Sequence, residues 1–214
     1  MLACGVLAMI GTLHAGQSWQ YRGHVLGGAV ADVLAVTGAR ADDVVTEHER
    51  PALVQTLTWR PPYTRTERAD ADPVDRIRFS FVDGTLYEIA VAYEQARIAS
   101  LTTSDLVAGV TTLYGAPHAR RARPDTREVI GPEGSVALAR WGDEEITVTL
   151  VRGPYEDTTL LLRSTRWLER ATRAIAASRA QDLQEAPARR AAALAADTAR
   201  REAERVRNRV AFTP

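Results

Sequence analysis

The chain of 214 residues contains no lysine, so all 27 of its basic side chains are arginine, and it has a single cysteine, Cys4. One thiol excludes an intramolecular disulfide framework and a thiolate zinc cluster. The lack of lysine accompanies an abundance of alanine and arginine, the composition GC-rich coding produces, and is not by itself read as phosphate recognition. Aromatic residues make up 6% of the chain and methionines number two, yet the apolar fraction of 45% is ordinary for a folded core. No uncharged apolar run is long enough to span a bilayer.

Catalytic signatures are also missing. The four histidines, His14, His24, His48 and His118, show no spacing that sets two on one helix or strand face. Glu47-His48-Glu49 lacks the second histidine of a zinc-protease helix, and Gly134-Ser135 is not a nucleophile elbow. No glycine-rich loop leads to Lys-Ser or Lys-Thr. Asp70, Asp72 and Asp75 lack the glycine and closing glutamate of a calcium loop, and Glu144-Glu145 points its carboxylates to opposite sides of a strand. The reading is a non-enzymatic protein with no catalytic residue, no metal and no cofactor. The enzymatic alternative is a site assembled in space from dispersed groups such as Asp105, Tyr114, His118 and Arg140.

What is present is organised around residues 76–117. Ile77, Phe79 and Phe81 alternate with polar residues, Asp83-Gly84 follows, and Tyr87, Ile89, Val91 and Tyr93 line the return. Period-two apolar spacing on both sides of Asp-Gly predicts a β-hairpin. Leu106, Val107, Val110, Leu113 and Tyr114 then recur at helical spacing behind Thr103, Ser104 and Asp105, and Gly115 with Pro117 stops the run. Upstream, Val30, Val33, Leu34 and Thr37 share a helical face closed by Gly38. Asp42 and Asp43 are expected to cap a short turn or helix through Val44 and Val45, and Leu53, Leu57 and Trp59 a strand. Downstream come strands at 136–141, 146–150 and 158–163, after a polar loop over 119–132. Helix, loop, then strands thus occurs twice.

The expected fold is α+β: two tandem units of a short helix on an antiparallel sheet, residues 16–98 and 99–165, followed by a C-terminal helical arm over 166–214. Trp167, Leu168, Ala171 and Ile175 form a stripe able to pack on a sheet, Pro187 is expected to interrupt the helix, and the remainder is rich in alanine and arginine. Residues 1–15, uncharged and ending in Leu13-His14-Ala15, read as a signal peptide without the usual basic start, which implies a periplasmic or secreted location.

Charge is divided unequally. Residues 166–214 hold 11 arginines against 6 acidic groups, and residues 1–165 hold 16 against 21, so a neutral chain is dipolar. The arm, with Arg200, Arg201 and Arg205, suits an anionic surface, or is a solvated helix with local ion pairs. Trp59-Arg60-Pro61-Pro62-Tyr63 offers preorganised contact area if exposed, or a strand end whose tryptophan enters the core. These two groups are the candidate interaction surface.

Phe81-x-Asp83-Gly84-x-Leu86 with Ile89-x-Val91-x-Tyr93, Leu101-Thr102 with Asp105, and Tyr114-Gly115-x-Pro117 resemble a group of bacterial envelope proteins of unknown function. Arg50 to Gln55, Trp59-Arg60-Pro61, Leu138-Ala139-Arg140-Trp141, Glu185-Ala186-Pro187 and Asn208 to Pro214 extend that resemblance over most of the chain. More distantly, the repeated helix-plus-sheet unit is similar to the β-lactamase-inhibitor-protein and SmpA/OmlA (BamE-type) class. That similarity implies an interaction or scaffold module binding a protein partner at the envelope. The alternative is a cytoplasmic regulatory or nucleic-acid-binding protein that uses the arginine-rich helix.

Overall fold

The computed structural model describes residues 19–61, 72–118 and 134–212. The signal-like segment, Pro62 and Tyr63, Asp70 and the polar loop over 119–132 lie outside the described residues.

The chain begins with a two-stranded ribbon, β1 (Gln20–Tyr21) and β2 (His24–Val25), which the sequence pattern did not reveal. Helix α1 (Val30–Thr37) follows. Asp32 closes its first turn by accepting from the Ala29 backbone N–H at 2.9 Å, and Gly38 ends it in the left-handed region at φ 69°. Past Asp43 the helical expectation fails: after a 3₁₀ turn at Ala41–Asp43, Val44–His48 is strand β3. Two consecutive valines and Thr46 are stiff at χ1 and favour the extended backbone, and pairing with β4 (Val54–Trp59) satisfies it.

The hairpin forms as expected from β5 (Val74–Val82) and β6 (Thr85–Tyr93). Its turn has positive φ at both Asp83 and Gly84, 48° and 75°, matching the twist of the strands. A short helix α2 (Gln95–Ile98) leads to α3 (Thr103–Tyr114), where Thr102 and Asp105 form a reciprocal cap. Strands β7 (Val136–Gly142), β8 (Ile146–Arg152) and β9 (Thr158–Ser164) complete the sheet, and β9 runs directly into α4 (Thr165–Ala211).

The seven strands β3 to β9 make one antiparallel sheet in the order β3-β4-β5-β6-β9-β8-β7. The two expected sheets are therefore a single one, joined where β6 pairs β9 from Glu88↔Arg163 to Ala92↔Thr159. Composition explains the junction. These are among the most apolar strands of the two stretches, and pairing them places both at the centre while the more exposed β3 and β7 take the edges.

Helices α1 and α3 cover the first face, where Val33, Val110 and Tyr114 meet Ile77, Phe79, Phe81, Ile89, Leu160 and Leu162. The second face holds two buried clusters, one of them Ala90, Val151 and Leu161. Ala171 and Ala174, with Trp167, Leu168 and Ile175, pack on Val54, Val82 and Tyr87 at the end nearest the hairpin turn. Arg170 Nε donates to Asp83 at 3.0 Å, and Ser178 Oγ donates to the Arg50 carbonyl at 2.6 Å, pinning α4 across that end.

Helix α4 is not interrupted at Pro187. A proline removes one N–H and crowds one preceding carbonyl, and here the turn before it is exposed, with Leu183 at 77%, so water can solvate that carbonyl. From Pro187 onward nearly every residue is exposed, so the last seven turns project from the sheet as an arm. None of the helices, among the described residues, is long and apolar enough to cross a membrane.

Candidate interaction face

Beyond α4, the second sheet face collects charged and small side chains from four strands, with Ala90 and Leu161 buried among them. Alternation along β5 directs Ile77, Phe79 and Phe81 to the core and leaves Arg76, Arg78 and Ser80 on the opposite side. A register shift in the pairing with β6 places Glu88 opposite Ser80, Ala90 opposite Arg78, and Ala92 opposite Arg76. Continuing outward, Arg163, Leu161 and Thr159 of β9 face Glu88, Ala90 and Ala92 in turn. On the other flank Thr58 of β4 pairs with Arg78. The two alanines leave a depression between arginine-bearing strands, a groove of about 510 Å³ lined by Arg76, Arg78, Arg163, Thr58, Thr159 and Asp157.

Glu88 organises these arginines. Its carboxylate is 7% exposed, accepts from Arg163 Nε at 2.7 Å, and lies 3.4 Å from Arg78 Nη2. One buried anion thus orients two guanidinium groups from opposite strands. Arg76 bonds Asp75 at 2.6 Å and remains half exposed.

A second depression, about 560 Å³, lies beside β1 and the end of α3, lined by Tyr21, Tyr93, Tyr114, Leu113, Pro73 and Arg22 among others. Tyr114 donates to the Gln20 carbonyl at 3.0 Å and stacks on Trp19, with ring centroids 6.0 Å apart. Burial pushes the Tyr114 phenol up to about 12 and raises Tyr21 and Tyr93 as well, so these groups stay neutral donors rather than bases. Arg22 donates to Asp72 through both forks, and that hydrogen bonding holds the Asp72 carboxyl below its usual range.

The candidates from sequence fare differently. Trp59 is half buried against the α1 core and donates Nε1–H to the Thr37 carbonyl at 3.1 Å, so it is not the exposed anchor of a patch. Its β4 register explains this: Trp59 shares the inward face with Leu57. Pro61 is buried, and Arg60 is exposed. On the arm, Arg200 and Arg201 both pair with Asp197, and Arg205 is exposed.

Of the dispersed set Asp105, Tyr114, His118 and Arg140, the last two are joined by a backbone hydrogen bond from His118 N–H to the Arg140 carbonyl at 2.8 Å. Asp105 caps α3, Tyr114 anchors β1, and His118 donates from Nε2 to the Gly142 carbonyl at 2.7 Å. Among the described residues no group of three or more His, Cys, Asp or Glu side chains is arranged to hold a metal ion. The Arg76, Arg78, Glu88 and Arg163 cluster was missed from sequence, although the period-two pattern that located β5 also assigns Arg76 and Arg78 to its outer face.

Against known proteins, no family model, no curated sequence and no solved structure matches this chain. The geometry therefore stands alone as the basis for a functional reading.

Proposed function

We propose that this chain is a non-enzymatic protein-interaction module of the bacterial envelope, periplasmic or secreted, which engages a protein partner through the arginine-bearing part of the second face of its sheet. The observation that carries the reading is the asymmetry of that sheet. Its first face is sealed by α1 and α3, whereas the second displays fixed arginines over a groove on rigid strands. Functional groups held on strands are presented with little entropy left to lose on binding. The two helix-then-strands stretches meet at the β6–β9 pair, in keeping with a duplicated unit that builds a broader surface than either half alone. The arm, with an arginine excess, supplies a second contact for an anionic surface on the partner or its surroundings.

The test is capture of partners from envelope extract with the full chain, with R76E/R78E, and with a chain ending at residue 187. A partner that is retained by the full chain and lost with R76E/R78E supports the sheet face as the binding surface. Identical retention by all three would refute both contacts. Sequencing the N-terminus of the mature protein tests the location: an intact Met1 in the cytoplasmic fraction would overturn it.

A further inference from the structure

The ribbon of β1 and β2 is a sheet of its own, with one side toward the core and the other toward water. In its register Tyr21 lies opposite His24 and Gln20 opposite Val25; the first pair is buried and the second exposed. His24 is thus a titratable side chain seated under the ribbon, its ring 4.5 Å from that of Phe79 between centroids. Its Nδ1 is buried without a hydrogen-bond partner. A protonated imidazole carries a charge and a donor on each nitrogen, and this seat leaves one of those donors unmet.

The surrounding groups do not offset that charge. Burial keeps Tyr21, across the ribbon, and Tyr93 and Tyr114 beyond it neutral. Strand β5 turns Ile77, Phe79 and Phe81 to this side, and the one ionisable residue of α1, Asp32, is exposed at the start of that helix. Burial alone lowers the His24 pKa. The polar ties of the ribbon are Arg22 to Asp72, Trp19 Nε1–H to Asp143 at 2.9 Å, and Tyr114 to the Gln20 carbonyl. The Arg22 fork holds Asp72, and the Ile146 N–H holds Asp143, below the usual carboxylate range, so both ties keep their charge above about pH 4. His118 binds the Gly142 carbonyl close to Asp143, and its protonated form attracts that carboxylate rather than releasing it.

Past Leu26 the chain is fixed to β6. Gly27 N–H donates to the Leu86 carbonyl at 2.8 Å, and Leu86 N–H to the Gly28 carbonyl at 2.9 Å. Gly27 itself stands at φ 88°, where a residue without a side chain turns freely. Residues 19–26 can therefore swing about this glycine while the strands behind them stay paired.

We propose that the ribbon is an acid-operated flap: protonation of His24 unseats residues 19–26 about Gly27, baring Phe79 and one wall of the tyrosine cleft, while the seven-stranded sheet stays folded. The inference goes beyond the interaction reading and does not depend on it. The unseated ribbon takes up the proton at an ordinary histidine value and the seated one only at lower pH. Unseating is therefore favoured as pH falls below about 6.5, by up to about tenfold per pH unit.

The experiment measures hydrogen exchange in the full chain by NMR at pH 7 and pH 5, with each site corrected for its intrinsic rate. Protection of the Trp19 indole N–H, and of the Gly28 amide that donates to the Val25 carbonyl, is expected to fall at least about tenfold at pH 5. The amides of Gly27, Leu86 and Phe79 should keep theirs. His24→Leu should hold the flap seated at both pH values. Tyr114→Phe, which loses the tie to Gln20, should loosen it at both and leave the ratio between them unchanged, as should His118→Asn. No fall at pH 5 in the parent, an equal fall at Gly27, Leu86 and Phe79, or the same fall in His24→Leu would overturn the proposal. So would loss of the response in His118→Asn, which would move the switch to that residue. Should His24→Leu not keep the parent's far-UV spectrum at pH 7, the contrast between Trp19 and Phe79 in the parent decides.

Discussion

Glu88 is the residue whose removal should be felt most. Its carboxylate is buried between two strands with Arg163, itself only 19% exposed, so deletion removes the buried acceptor that Arg163 and Arg78 share. Breaking such a pair by removing one partner costs about 3 kcal/mol. Glu88→Ala is expected to lower the urea midpoint accordingly, and Glu88→Gln, which keeps an acceptor oxygen, to cost less. His24 sets a different dependence. It is 4% exposed against Phe79, and burial lowers its pKa below the ordinary value. Because the unfolded chain takes up the proton first, stability is full at neutral pH and falls as pH drops through about 6.5 toward the folded-state value. Unfolding midpoints measured from pH 7 to pH 5 should decline in the parent and stay flatter in His24→Leu. The carboxylate Asp72, with a lowered pKa, contributes stability that is lost only below about pH 4, outside that window.

At the scale of elements, legibility followed locality. The β5–β6 hairpin was readable because Asp83-Gly84 and the alternation of Ile77, Phe79 and Phe81 carry the whole signal within a few residues. The cap of α3 was readable for the same reason. Val44 and Val45 fit a helix or a strand equally in pattern, and only the neighbour β4 decided for the strand. The groove was opaque because Arg78 and Arg163 meet through a register between distant segments, and each alone looks like a solvated strand residue. Pro187 shows the reverse error, a strong local signal overridden by its surroundings. The flanking alanines, arginines and glutamates favour helix strongly enough to continue past it. Pro187→Ala should therefore slow amide exchange over residues 183–191 while leaving the unfolding midpoint of the sheet unchanged, since nearly every residue of the arm beyond it is exposed. A shift of that midpoint by several degrees would mean that the arm is docked.

For the whole molecule the decisive fact is the shared sheet. The last strand within residues 19–98 is β6, whose β9 partner comes from the second stretch, so a fragment of that length would bare a central edge bearing Ile89 and Val91. It would also lack the α3 and α4 residues that cover its two faces. Such an edge pairs with other copies. The fragment is expected to aggregate or to unfold without a cooperative transition, whereas the intact chain should give one transition, coincident by fluorescence and circular dichroism. A soluble, cooperatively folding fragment 19–98 would show that the first stretch is independent.

The unpacked turns of α4 alter how the molecule moves through liquid. Residues 188–211 of α4 make a rod about 36 Å long. A body with such a mast tumbles slowly for its mass and elutes from a sizing column ahead of a sphere of 23.4 kDa. Elution volume alone would mistake one copy for a larger assembly, and a chain stopped at residue 187 would run later by more than its lost mass accounts for.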